Sequence, residues 1–383
     1  MKHIAFSLML LLTVAVGQAE ENSVAPVEVA PVETNEPEPQ YESEGISIPP
    51  ASAEEPFAEL SVDKAASYLD EGAIAWTREK QCITCHTNGT YLFIRPALTS
   101  SLGPPSEEVR DFFLEQLTTL QDTEPMQLQE GTRPAQLIYL AAGLAQWDAH
   151  VSGVLSDETA AALQLMLQVQ NEEGAWGSMD CWPPFESSAY QEATMAAMAL
   201  TASPDWLAAI TDEFAVERVE RLRTYLRETV PPHDYARVLK LWASGSFNGI
   251  LEQDEHEQIV SMILQKQRDD GGWNMRDFAL PEEWGGGNRA EKLRTELQQA
   301  AADSETVTTM SDGHMTGLAL IVLQQTDASE SAEAVQRGVA WIRRHQRESG
   351  RWWTRSLNTD GPHFITFSGT AYPLLALQLF ERK

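Results

Sequence analysis

Gln170-Asn171-Glu172-Glu173-Gly174-Ala175-Trp176 returns as Gln267-Arg268-Asp269-Asp270-Gly271-Gly272-Trp273, and again as Gln346-Arg347-Glu348-Ser349-Gly350-Arg351-Trp352. All three copies read Q-x-x-x-G-x-W. A run with helical apolar spacing precedes each copy, over residues 160–169, 258–266 and 334–345. Beyond a loop, a second run rich in small and apolar residues follows, over 189–200, 314–323 and 369–379. The glycine suits the left-handed position that ends a helix, and the Trp then has a wide face to pack on the next unit. Self-similarity of this kind makes a helical hairpin the building unit of the chain.

Three further hairpins lie outside these copies. Residues 107–120 pair with 134–147, and 215–227 pair with 235–243, without the Trp signature. Near the N-terminus, Trp76 stands five residues before Gln81, as Trp341 stands five before Gln346, so residues 65–95 form a modified unit. Six hairpins predict an all-α fold, an (α/α)6 toroid over residues 60–383, with parallel inner helices and outer helices running the opposite way. At the Gln-to-Trp motifs the chain resembles the squalene–hopene cyclase and protein prenyltransferase superfamily. The resemblance implies that the motif ties outer helices to their neighbours and takes no part in catalysis. The Asp-x-Asp-Asp motif with which those cyclases protonate their substrate occurs nowhere in this sequence, and the chain is too short for a second barrel. The resemblance therefore supplies a fold without a cyclase site, and terpene cyclase activity is not expected.

In the modified unit, Cys82-Ile83-Thr84-Cys85-His86 replaces the Gln-to-Trp loop. Two thiols at this spacing can each form a thioether to a haem vinyl group, and the adjoining His86 then ligates the iron. Zinc would need two further ligands, and the one remaining cysteine is Cys181. A redox dithiol would need a βαβ setting, which the helical pattern lacks. A Cys82–Cys85 disulfide is the alternative in an oxidising compartment.

The N-terminus sets that compartment. Met1-Lys2-His3 is basic, residues 4–16 are apolar, and Gly17-Gln18-Ala19 is a small-x-small cleavage site. Residues 1–19 read as a signal peptide, too short for a membrane span, which places the mature protein in the periplasm or outside the cell. Residues 20–59 are rich in Glu and Pro and hold neither Lys nor Arg, so they read as a disordered acidic linker. A net charge of −30 over 383 residues disfavours nucleic acid and anionic lipid as partners. It suits a basic redox partner or a neutral substrate.

In a toroid of this register, the loops from outer to inner helices share one end of the barrel, with the haem motif among them. His233, His314 and His363 precede or open inner helices at that end. His314 is the favoured second iron ligand, with Asp312 placed to fix its tautomer, and His363 is the other candidate. A His at a helix start is also commonly a solvated residue. Glu186 and Asp312 are the candidate acid–base groups. Arg95, in Arg95-Pro96-Ala97, is placed to pair with a haem propionate, echoed by Arg133-Pro134-Ala135. Trp182, Phe185, Tyr190, Trp284 and Phe364 are candidate cavity walls. The readings are a haem oxidoreductase with a small apolar or isoprenoid-like substrate, an electron-transfer cytochrome, and a non-catalytic toroid that binds a ligand.

Overall fold

The structure, a computed structural model, describes residues 38–50, 59–177, 183–185, 188–284, 291–295, 298, 310–326, 328–357 and 364–381. Residues 1–19, read as a signal peptide, most of the expected linker, Cys181, Trp182, Glu186 and His363 lie outside the described residues. Twelve main helices carry the fold: α1 Val62–Lys80, α2 Asn88–Ile94, α3 Glu107–Gln121, α4 Arg133–Trp147, α5 Asp157–Val169, α6 Ala189–Thr201, α7 Glu213–Glu228, α8 Asp234–Ser244, α9 Gln253–Gln265, α10 Gly313–Leu323, α11 Ala328–His345 and α12 Ile365–Glu381. The fold is mostly helical, with one small strand pair among the described residues.

Burial separates the helices into two layers. In α7 the buried residues are Ala215, Val219, Leu222 and Leu226, a single stripe at helical spacing. In α10 every residue from Gly313 to Leu323 is buried, as expected of a helix enclosed on all sides. The even-numbered helices pack in sequence: α2 on α4, α4 on α6, α6 on α8, α8 on α10, α10 on α12, and α12 on α2 again. Local chemistry fixes their starts. The side chains of Ser61, Ser156, Ser188, Asp212, His233 and Asp312 each accept a backbone N–H in the first turn of the following helix.

The repeated motif performs the same three contacts in each copy. The amide Nδ-equivalent nitrogen Nε2 of Gln170, Gln267 and Gln346 donates to the carbonyl of Gly174, Gly271 and Gly350, at 3.1, 2.8 and 2.8 Å. The same nitrogen reaches the next outer helix: Arg218 O at 3.0 Å, Ala334 O at 2.8 Å and, for the last copy, Ser61 O at 2.9 Å. The indoles of Trp176, Trp273 and Trp352 donate back to Met166 O, Ile263 O and Ile342 O in their own outer helix. The glycines sit at φ of 94°, 97° and 94°, and a side chain there would run into the neighbouring backbone. The third copy differs in what it joins. Gln346 also accepts from the Ser61 N–H at 2.6 Å, tying the penultimate helix to the N-cap of the first.

Residues 38–50 depart from the linker expected over 20–59. Strands β1 (Tyr41–Ser43) and β2 (Ile46–Ile48) form an antiparallel hairpin about Glu44-Gly45, with Tyr41 opposite Ile48. Composition across the whole acidic stretch hides a local pattern in which Tyr41 and Ile48 point inward and Glu42 and Ser47 outward. The hairpin is anchored by Arg351, whose Nη1 donates to Gln40 Oε1 at 2.6 Å and to Pro49 O at 2.7 Å. The Tyr41 ring packs against Tyr68, Trp76, Phe364 and Phe367.

Candidate functional site

The Cys-x-x-Cys-His segment is a tight loop between α1 and α2. Gln81 adopts φ of 50°, the one non-glycine residue with positive φ among the described residues. Its amide turns back to Thr77 O and Arg78 O at 2.8 and 3.1 Å, capping α1 where the other motif glutamines reach a neighbour. Asn88 braces the loop by accepting from Thr84 N at 2.9 Å and donating to Cys82 O at 3.0 Å. Trp76 Nε1 donates to the same carbonyl at 3.2 Å. Cys82 and Cys85 are not joined in a disulfide; Cys82 is half-buried and Cys85 is buried. The disulfide alternative is therefore not the state of this structure.

His86 is buried between two aromatic rings. Phe364 stacks on its face at 4.9 Å and 10°, and Trp76 meets it edge-on at 4.8 Å and 87°. Burial pushes its pKa down to about 3, so the imidazole is neutral at pH 7. Nδ1 lies 2.8 Å from Thr87 Oγ1, which lies 2.9 Å from the Tyr41 hydroxyl. The hairpin thus supplies the outer member of a hydroxyl relay that orients the imidazole.

A second polar cluster lies among the inner helices. His314 places Nδ1 2.7 Å from Ser368 Oγ and Nε2 3.0 Å from the Tyr235 hydroxyl. Ser368 donates its own proton to Ile365 O at 3.0 Å, so His314 Nδ1–H donates to Ser368 and Nε2 accepts from Tyr235. Burial lowers the His314 pKa to about 3. The Tyr372 and Phe185 rings flank it at 5.0 and 5.6 Å. Burial raises the pKa values of Tyr139, Tyr235 and Tyr372, and negative charge on Cys85 would add to the rise in all three. Cys85 therefore joins the motif to this cluster.

Several expected roles change. Asp312 does not hold His314: its Oδ1 accepts from Met315 N at 2.8 Å and its Oδ2 from Met275 N at 2.7 Å, making it a helix cap and a loop tie. Burial raises its pKa to about 6. Both ring nitrogens of His314, the favoured second iron ligand, are hydrogen-bonded within the core, to Ser368 and Tyr235. Arg95 is not at the start of an inner helix. Pro96 cannot continue α2, so Arg95 falls at its end, where the guanidinium donates to Asp70 Oδ1 at 3.1 Å and Gly103 O at 2.9 Å. Its partner here is the Asp70 carboxylate, in an ion pair at 3.1 Å. Tyr190 donates to Leu226 O and belongs to the wall between layers. His233 is buried and caps α8, and Trp284 packs on it at 5.0 Å. Thr87, Tyr41, Tyr235, Ser368 and Tyr372 carry no sequence signal, since their meeting depends on helices distant in the chain. Among the described residues no group of three or more His, Cys, Asp and Glu side chains is arranged to hold a bare metal ion.

The buried histidines set a pH dependence. The pKa values of His86, His314 and His233 fall to about 3, 3 and 4, below the unfolded value near 6.5. The unfolded chain binds more protons below that pH, so stability is lost as pH falls from about 6.5, at about 1.4 kcal/mol per unit for each histidine. Asp312 acts oppositely: its raised pKa gives stability at low pH that is lost as pH rises through about 6. Three groups outweigh one. Urea unfolding of the haem-free protein at pH 7, 6 and 5 should show falling stability, with a shallower slope for His314→Gln. Equal slopes for the two proteins would remove His314 from this account.

The chain matches no protein-family model, and no curated protein sequence matches it.

Proposed function

We propose that this chain is an exported c-type haem protein on an (α/α)6 toroid, with the porphyrin held by Cys82 and Cys85 and the iron ligated by His86. The observation that carries the reading is the pair of unjoined thiols beside a buried, neutral imidazole whose Nδ1 is engaged by a hydroxyl. If Nδ1–H donates to Thr87, the lone pair is left on Nε2, the tautomer in which His86 would bind a metal. His86 would hold the iron, with Phe364 stacked on the ring face. Each thiol adds its S and H across a vinyl double bond, a step that needs no oxidant. Bound haem would supply one-electron redox chemistry. Trp76 and Phe364 keep water from His86, and Thr87 with Tyr41 fixes its rotation. The six-hairpin ring is supported by the cycle of inner-helix contacts and by the bond from Gln346 to Ser61.

The favoured activity is that of a periplasmic oxidoreductase acting on a small apolar substrate. His314 holds Ser368 and Tyr235 through its two ring nitrogens, so binding iron would cost it a core hydrogen bond, which favours an exchangeable sixth position. Electron transfer is the second reading, favoured by a groove of about 650 Å³ against Trp76 and Phe364. Glu38, Glu42 and Glu79 line it against the single cation Lys80, which suits docking of a basic redox partner.

Expression in cells with a cytochrome c maturation system should give a pyridine haemochrome that survives acid–acetone extraction. Loss of all haem on extraction would sink the covalent reading. Carbon monoxide added to the ferrous protein should shift the Soret band. An unmoved band would instead mark a six-coordinate electron carrier.

A further inference from the structure

We propose a binding site for a small, uncharged amphiphile at the end of the inner-helix ring opposite the Cys-x-x-Cys-His loop. It does not depend on the haem reading. The loop leads into the start of α2 at Asn88, whereas a cavity of about 510 Å³ opens beside the end of α2 at Phe93 and Ile94. The later turns of all six even-numbered helices contribute to its wall, so it is the open end of their common axis.

The floor is apolar. Phe93 and Trp242 meet there at 5.5 Å, with Ile321 and Leu375 beside them. Trp242 in turn stands edge-on to Tyr372 at 5.7 Å, and Tyr372 lies 5.0 Å from His314. Those rings separate the cavity from the buried histidine cluster, so an occupant does not reach Cys85. The rim is polar, with amides from Gln146, Gln324 and Gln378, a hydroxyl from Ser246 and the imidazole of His150, and it holds no carboxylate, ammonium or guanidinium. Ser246 lies 2.9 Å from the Thr201 hydroxyl, which also belongs to the wall.

Charge selects the occupant. Asp, Glu, Lys and Arg make up 22% of the chain, yet none of them lines this cavity. An ion placed on this floor would lose hydration without gaining a counter-charge. A neutral molecule with an apolar body and a hydroxyl, carbonyl or amide end gains on both counts, covering the Trp242 floor and exchanging hydrogen bonds with the amide rim. The volume suits a molecule of drug-like size and is too small for a folded partner's side.

The test uses the full chain and the neutral fluorophore prodan, with the anion anilinonaphthalene sulfonate as comparator. Prodan should bind saturably with one site and a blue-shifted emission. Ala97→Trp and Ala202→Trp, at partly exposed wall positions, fill the cavity without entering the core. Each should weaken prodan binding by roughly 10-fold or more, the scale of losing one well-filled apolar contact. If either variant fails to fold, Gln378→Arg at the half-buried rim provides the same readout by introducing a charge. Unsaturable binding, unchanged affinity in the folded variants, or equally tight binding of the anion would overturn the proposal.

Discussion

Under the proposed attachment, Cys82→Ala combined with Cys85→Ala should abolish covalently retained haem, the largest effect expected of any change in this chain. A thioether survives denaturant and organic extraction, whereas an iron–imidazole bond does not, so the loss is all-or-none. Each single variant keeps one thioether and leaves one vinyl group conjugated with the porphyrin, which moves the haemochrome band to longer wavelength. His86→Ala should keep the covalent bonds and change the axial field. The fold should tolerate the double change. Cys82 is half-buried, and replacing the buried Cys85 removes one sulfur from a wall of tyrosines, at a cost of about 1–2 kcal/mol. Far-ultraviolet circular dichroism therefore stays native while the haem signal disappears. Haem that survives extraction from the double variant would refute attachment at these residues.

Gly350→Val should be the most damaging substitution for stability. Its φ of 94° excludes a β-branched side chain, and an added Cβ would strike the Lys64 and Ala65 backbone at the start of α1. The cost should exceed about 3 kcal/mol, since strain at φ above zero adds to a backbone clash. Gly350 also positions Gln346, which joins residues separated by 285 positions in sequence. Loss of that joint releases the first helix from the last motif, whereas the equivalent changes at Gly174 and Gly271 disturb neighbours closer in the chain. Gly177→Ala is the control. Its φ is not in the left-handed region, and an added Cβ meets its nearest atom at 3.5 Å, an ordinary contact. Urea unfolding should place the Gly177→Ala midpoint near wild type and the Gly350→Val midpoint far below. A Gly350→Val protein within about 0.5 kcal/mol of wild type would show that the third motif does not close the ring.

The helices expected from the repeat are present with small shifts at their ends, because each Gln-to-Trp unit carries its own geometry. The glycine φ, the amide bond to the carbonyl four residues on, and the indole bond back to the outer helix are all contacts of short sequence range. Arg95 shows where such reading fails. Two Arg-Pro-Ala triplets look alike, but Arg133-Pro134 opens the long helix α4, whereas Arg95-Pro96 opens only a four-residue 3-10 turn directly after α2. Proline is compatible with the first turn of a helix and incompatible with its continuation, so the triplet alone does not say on which side the helix lies. Asp312 fails differently. Its distance from His314 in sequence invites a tautomer-fixing bond, yet its oxygens meet the backbone N–H groups of Met315 and Met275 first. A helix cap is the local demand, and it prevails.

What the sequence alone determined is the helical repeat and the placing of Cys82, Cys85 and His86 together in a loop between two helices. These are consequences of periodicity and of residue types at fixed short spacing. Only the tertiary structure decided the company each donor keeps. It brought Tyr41, from a stretch that reads as a spacer, to Thr87 and so to His86. It set Ser368 and Tyr235 on opposite nitrogens of His314, and it gathered a cavity wall without Asp, Glu, Lys or Arg around Phe93 and Trp242. Each of these depends on contacts between elements tens to hundreds of residues apart. Burial and the need to satisfy every enclosed polar group select the partners there, and no local pattern in the chain encodes that choice.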